Sequence, residues 1–90
     1  MKPRITISLR QDGELEIFVN ESGRDLLLAE LSHLSRDSDH FHLGVGEHSE
    51  VELQPVAYKD GETLIEQAKV MFRPDDWDRE YFPHVMADAS

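Results

Sequence analysis

The chain has 90 residues, with nineteen acidic side chains against nine basic ones, a formal charge of −10 and no cysteine. That length supports one small core, the acid excess repels phosphate backbones and anionic lipid surfaces, and disulfide or thiolate chemistry is excluded. No apolar run approaches the roughly 18 residues of a membrane span, and the N-terminus lacks the unbroken apolar stretch of a signal peptide. The expectation is a cytoplasmic protein with residues 1–86 as one domain and 87–90 as a loose tail, without nucleic acid or membrane as partner.

Arg4 to Arg10 alternates, with Ile5, Ile7 and Leu9 on one face, and Leu15, Ile17 and Val19 repeat the pattern after Asp12-Gly13. A two-residue loop would throw the two apolar rows onto opposite faces. A three-residue loop, Gln11-Asp12-Gly13, pairs Leu9 with Leu15, Ile7 with Ile17 and Ile5 with Val19, and puts Gly13 at the left-handed bulge position. The segment then predicts a helix over Ser22 to Arg36, with a capping-box-like Ser22 and Asp25 and an apolar stripe of Leu27, Leu28, Leu31 and Leu34. Alternation returns from Asp39 to Val45, with Phe41, Leu43 and Val45 inward and His40 and His42 outward.

Val51 to Tyr58 reads as a further strand, irregular at Pro55, and Asp60-Gly61 reads as a two-residue turn. The register then sets Ala57 against Leu64, Leu53 against Ala68 and Val51 against Val70. Glu62 to Phe72 also fits helical spacing; strand is preferred. Pro74 ends that element, and Asp75 or Asp76 starts a short turn carrying Trp77 and Tyr81, stopped by Pro83. The fold class expected is α+β: an antiparallel sheet of four to five strands, in the order ββαβββ, with one main helix on one face and a short C-terminal helical turn. Its apolar layer comprises Ile5, Ile7, Leu9, Leu15, Ile17, Val19, Leu27, Leu31, Leu34, Phe41, Leu43, Val51 and Leu53. Phe18, Val56, Tyr58, Ile65 and Met71 point to the other face, which the C-terminal Trp77, Tyr81 and Phe82 are expected to cover; a homodimer or foreign partner is the alternative.

Three of the five histidines fall between Asp37 and Glu50. His40 and His42, two apart on a strand, share a face, and with His48 they are the only candidate metal ligands. A zinc site needs a third and usually a fourth converging ligand, and no second motif at such spacing occurs, so no metal or other cofactor is expected. Glu30, His33 and Asp37 share a helix face, where surface charge pairing explains them as well as acid/base chemistry does. Gly44-Val45-Gly46 is too short for a dinucleotide fingerprint, and no nucleophile or phosphate-loop motif is present. The expectation is therefore a protein that is not an enzyme.

The middle of the chain, "DLLLAELSHLS" followed by Asp39-His40-Phe41-His42-Leu43 and "EVELQPV", resembles the small immunity proteins of bacterial polymorphic-toxin systems, in particular the immunity protein thirty-two family. The likeness spans about residues 15 to 56. It implies an α+β protein that neutralises a toxin domain by binding it, and it names no catalytic residues. The residues themselves favour a basic protein partner, because complementary potentials steer encounter. Glu47, Glu50, Glu52, Phe18, His40, His42 and Tyr58 are the candidate contacts. A self-associating domain and a metal-binding protein using His40 and His42 are the alternatives.

Overall fold

The computed structural model describes residues 1–46 and 48–86; the expected tail, 87–90, and Glu47 lie outside them. The elements are β1 (Ile5–Leu9), β2 (Leu15–Val19), α1 (Glu21–Ser32), β3 (His40–Gly44), β4 (Val51–Glu52), β5 (Thr63–Leu64), β6 (Gln67–Met71), α2 (Asp75–Tyr81) and a 3₁₀ turn, Pro83–Met86. The class is α+β. The strands form two three-stranded sheets, ordered β2-β1-β5 and β4-β3-β6, rather than the single sheet of four to five strands that patterning suggested. No helix among the described residues is long and apolar enough to cross a membrane.

The first hairpin has the expected register, Ile5 to Val19, Ile7 to Ile17 and Leu9 to Leu15. Its three-residue loop closes through Arg10 N–H donating to the Glu14 carbonyl at 2.9 Å, with Gly13 at φ +92°. That left-handed value is one glycine adopts without a Cβ penalty. β1 is buried on both sides. Ile5 and Ile7 enter the core, while Thr6 and Ser8, on the face patterned as polar, are also fully buried. Their hydroxyls meet Gln54 Oε1 at 3.1 Å and Glu62 Oε1 at 3.4 Å, so residues 54–62 fold over that face and satisfy it.

The expected second hairpin does not form. β4 instead runs parallel to β3, and β6 pairs antiparallel with β3 from His40–Met71 to Gly44–Gln67. The chain changes sheets twice: Leu53 N–H donates to Gly44 and Gln54 N–H to Ile5, and later Ile65 N–H donates to Ile7 while Glu66 accepts from Val45. Pro55 has no N–H to give a ladder, so a continuous strand from Val51 to Tyr58 stops short of it. Pairing with β3 gives β6 a five-residue ladder and brings Ala68 and Val70 beside Phe41 and Leu43. The strand reading of 62–72 stands, but as β5 and β6 in different sheets.

α1 is capped by Asn20, not Ser22. Asn20 Oδ1 accepts from Gly23 N–H at 2.8 Å and from Arg4 N–H at 2.9 Å, while the Ser22 hydroxyl donates to the Met1 carbonyl. Gly23 sits against β1 so closely that a Cβ there would lie 2.6 Å from the Arg4 carbonyl oxygen. That approach turns Leu26 and Leu27 toward the core and leaves Leu28 and Leu31 exposed, rotating the helix from the expected stripe, while Leu34, past the helix end, also packs inward. The helix ends at Ser32 rather than Arg36, because Ser35 and Ser38 bond each other's backbones in a local turn.

The core is Ile5, Ile7, Phe41, Leu43, Val51 and Leu53, with Leu26, Leu27, Leu34, Ile65, Ala68 and Val70 packed against it. Leu9, Leu15, Ile17, Val19 and Leu31, expected inside, are exposed, and Ile65, expected outside, packs inward. β2 is the outermost strand of its sheet, and its apolar row of Leu15, Ile17 and Val19 is left uncovered. The C-terminal aromatics do not cover Phe18. Trp77 lies 5.7 Å from both the Arg36 and Arg73 guanidinium groups, Arg36 forks onto Asp76 at 2.8 and 3.0 Å, and Tyr81 and Phe82 remain exposed.

Candidate functional site

Alternation along β3 sends Phe41 and Leu43 into the core and His40 and His42 outward. Its neighbours align their own outward residues beside them. The parallel register sets Glu52 of β4 next to Gly44; Glu50, just before β4, reaches His42; and the antiparallel register sets Met71 against His40 and Lys69 against His42. One sheet face therefore gathers Glu50, Glu52, His40, His42, Lys69 and Met71. The four residues expected from the sequence are each about half exposed there.

The imidazoles are already partnered. Asp39 Oδ1 lies 2.9 Å from His40 Nδ1, and this hydrogen bond holds the Asp39 carboxyl below the usual aspartate range. Glu50 Oε1 lies 3.7 Å from His42 Nδ1 and 3.4 Å from the His42 amide. The Glu50 carboxyl is also lowered, chiefly by its own backbone N–H and then by those His42 contacts. The two rings meet edge to face at 5.1 Å. Glu52 faces Lys2 at 3.9 Å.

His48 lies beyond β3 and, with His42, Ser49 and Gln67, lines a shallow cleft of about 400 Å³. Among the described residues no three His, Asp or Glu side chains converge to hold a metal ion. Phe18 and Tyr58 belong to a different surface, the outer side of the β2-β1-β5 sheet, where their rings stack at 4.2 Å. The Glu30, His33 and Asp37 alignment dissolves, since α1 stops at Ser32 and His33 becomes its C-cap.

Sequence reading passed over a second cluster. Glu16 of β2 and Glu62, before β5, approach each other beside Ser8, and each leaves one buried carboxylate oxygen, Glu16 Oε1 and Glu62 Oε2, without a hydrogen-bond partner. Desolvation, reinforced by Glu16, pushes the Glu62 carboxyl above the usual glutamate range. Lys59 Nζ, 3.4 Å from Glu16 Oε2, offsets part of that charge. Glutamates 46 positions apart carry no local signal; only the pairing of β1 with both β2 and β5 juxtaposes them. Lys69 was hidden in the same way, by the pairing of β6 with β3 rather than with β4, whereas Met71, expected to share the outward face of His40 and His42, lies there against His40.

Comparison of the chain with protein-family models, with curated proteins and with solved structures finds no match.

Proposed function

We propose that this is a small acidic, non-catalytic binding protein that inhibits a basic partner by covering its surface, in the manner of an immunity protein acting on a toxin domain. The observation that carries this reading is the pairing on the outer β4-β3-β6 face. Asp39 hydrogen-bonds the His40 ring and Glu50 stands 3.7 Å from the His42 ring while accepting from its amide, so each imidazole has a carboxylate beside it and both carboxyls are held below their ordinary range. Such a flat, half-exposed face offers acceptors to arginine and lysine, with Met71 as an apolar contact among them. The net charge of −10 would steer a basic partner toward it, and screening at 0.15 M salt shortens that pull to about 8 Å. Phe18, on the other sheet, and Tyr58, in the segment that folds over it, fall outside this contact, and Glu47 lies outside the described residues.

Co-expression with a candidate toxin from a neighbouring gene tests the reading. The expected result is protection and a co-purifying complex whose association rate falls with salt. Glu50→Lys combined with Glu52→Lys should slow association while leaving the melting temperature nearly unchanged, because both side chains are exposed and surface ion pairs contribute little to stability. Neither protection nor complex would reject the immunity reading.

A further inference from the structure

β2 ends its sheet, and the edge it leaves open is unusual in composition. Arg10 N–H bonds to Glu14 and Asn20 N–H bonds to Arg4, so by antiparallel alternation Glu16 and Phe18 also turn their backbone groups toward β1. The N–H and C=O groups of Leu15, Ile17 and Val19 therefore face the open edge. The same three residues carry the exposed apolar row, at 54%, 55% and 42% exposure. Open edges are ordinarily protected by lysine, proline or a bulge. β6, a terminal strand of the other sheet, carries Lys69 in mid-strand; β2 has no lysine, proline or bulge, and its one charge, Glu16, turns inward away from the exposed row.

We infer that two copies of the chain pair through β2, antiparallel about a two-fold axis at Ile17, to make one continuous six-stranded sheet. The occupant is a second copy because this strand is complementary to itself in that register. Ile17 meets its counterpart, Leu15 meets the second copy's Val19, and all three residues offer their free backbone groups across the seam. On the reverse face Glu16 falls opposite Phe18 of the second copy, so no two like charges are directly opposed. Lys59, 3.4 Å from Glu16 and 6.0 Å from the Phe18 ring centre in its own chain, then also lies near the second copy's Glu16. The seam thus brings a lysine to each glutamate despite the overall charge. This pairing uses the sheet that the proposed inhibitory face does not, so either can fail without the other.

The chain has no cysteine, which allows single-cysteine variants to report the register. In a hydrogen-bonded antiparallel pair facing Cα atoms are about 5.5 Å apart, within the roughly 4.4 to 6.8 Å that a disulfide spans. Leu15 and its own counterpart would be roughly 14 Å apart, four positions along the strand. The expected results are a dimeric mass by light scattering that falls to monomer on dilution, and oxidative cross-linking of Ile17→Cys. Leu15→Cys alone should not cross-link, but should do so when mixed with Val19→Cys. Ile17→Lys, which opposes two like charges at the axis, should give a folded monomer. If that variant does not fold, the cysteine pattern still decides. A wild-type protein monomeric at every concentration, a dimer that survives Ile17→Lys, or Leu15→Cys linking to itself as readily as Ile17→Cys does would each overturn the pairing.

Discussion

Phe18 and Tyr58 stack face to face, with ring centroids 4.2 Å apart and planes 9° from parallel. The contact ties β2 to the middle of residues 54–62, which Thr6, Ser8 and Gln11 hold at other points along the segment. Stacked aromatic pairs couple by roughly 0.5 to 1.5 kcal/mol beyond their buried area. With Tyr58 half exposed, a double-mutant cycle on Phe18→Ala and Tyr58→Ala should return the lower part of that range. Amide exchange across 55–61 should accelerate in either single variant. Trp77→Ala, which removes a side chain packed on Arg36 and Arg73 instead, should leave it unchanged.

The raised Glu62 carboxyl sets a direction for pH dependence. Because its folded value lies above the unfolded one, the stability it contributes is full below the ordinary glutamate value of about 4.3 and is lost as pH rises through the raised value. Asp12, Asp39, Glu50 and Asp76 act in the opposite sense, since all are lowered and their contributions fade as pH falls. Glu62→Gln isolates the first effect. It supplies an N–H donor toward Glu16 in place of the charge, so the variant should melt above wild type at neutral pH and converge with it toward pH 4. Paired melting curves across that range check the sign; a variant less stable at pH 7 would show that ionised Glu62 is favoured in the fold.

Burial separates leucines that patterning treated alike. Leu53 is 1% exposed inside the six-residue core, and Leu53→Ala should cost about 3 to 5 kcal/mol, by lost transfer energy and the cavity left behind. Leu31 is 48% exposed on the outer side of α1, and Leu31→Ala should stay within roughly 1 kcal/mol. Denaturant titrations of the two variants make the comparison, since an unchanged slope with a shifted midpoint reports stability alone.

Asn20 joins three segments. Its side chain caps α1 at Gly23, receives the Arg4 amide and donates to the Lys2 carbonyl. Asn20→Ala should cost about 1 to 2 kcal/mol, the upper part of the N-cap range, because the β1 contact is lost with the cap. Asn20→Asp keeps the acceptor and should recover most of it. Gly23→Ala should destabilise more than helix propensity suggests, since its Cβ would meet the Arg4 carbonyl oxygen at 2.6 Å and Ile5 Cγ1 at 2.9 Å.

What the sequence by itself determined is local. The alternation of Arg4 to Val19 together with Gly13 specifies the first hairpin to the residue, because loop length and side-chain period admit one register that keeps the apolar rows together. The α+β class, the outward His40 and His42 and the C-terminal helical turn follow in the same way, from periods and punctuation read within a few residues. Beyond that hairpin, which strands lie side by side was decided only by the tertiary structure. Asp60-Gly61 does turn the chain, with Gly61 at φ +83°, yet its two arms join different sheets, because β3 offers β6 a full ladder and Pro55 cannot serve one. That choice placed Glu50 beside His42, brought Glu16 to Glu62, buried Thr6 and Ser8, and left Leu15, Ile17 and Val19 on an open edge. Period-two patterning tells which residues share a face; whether that face is covered depends on chain dozens of residues away, which no local pattern records.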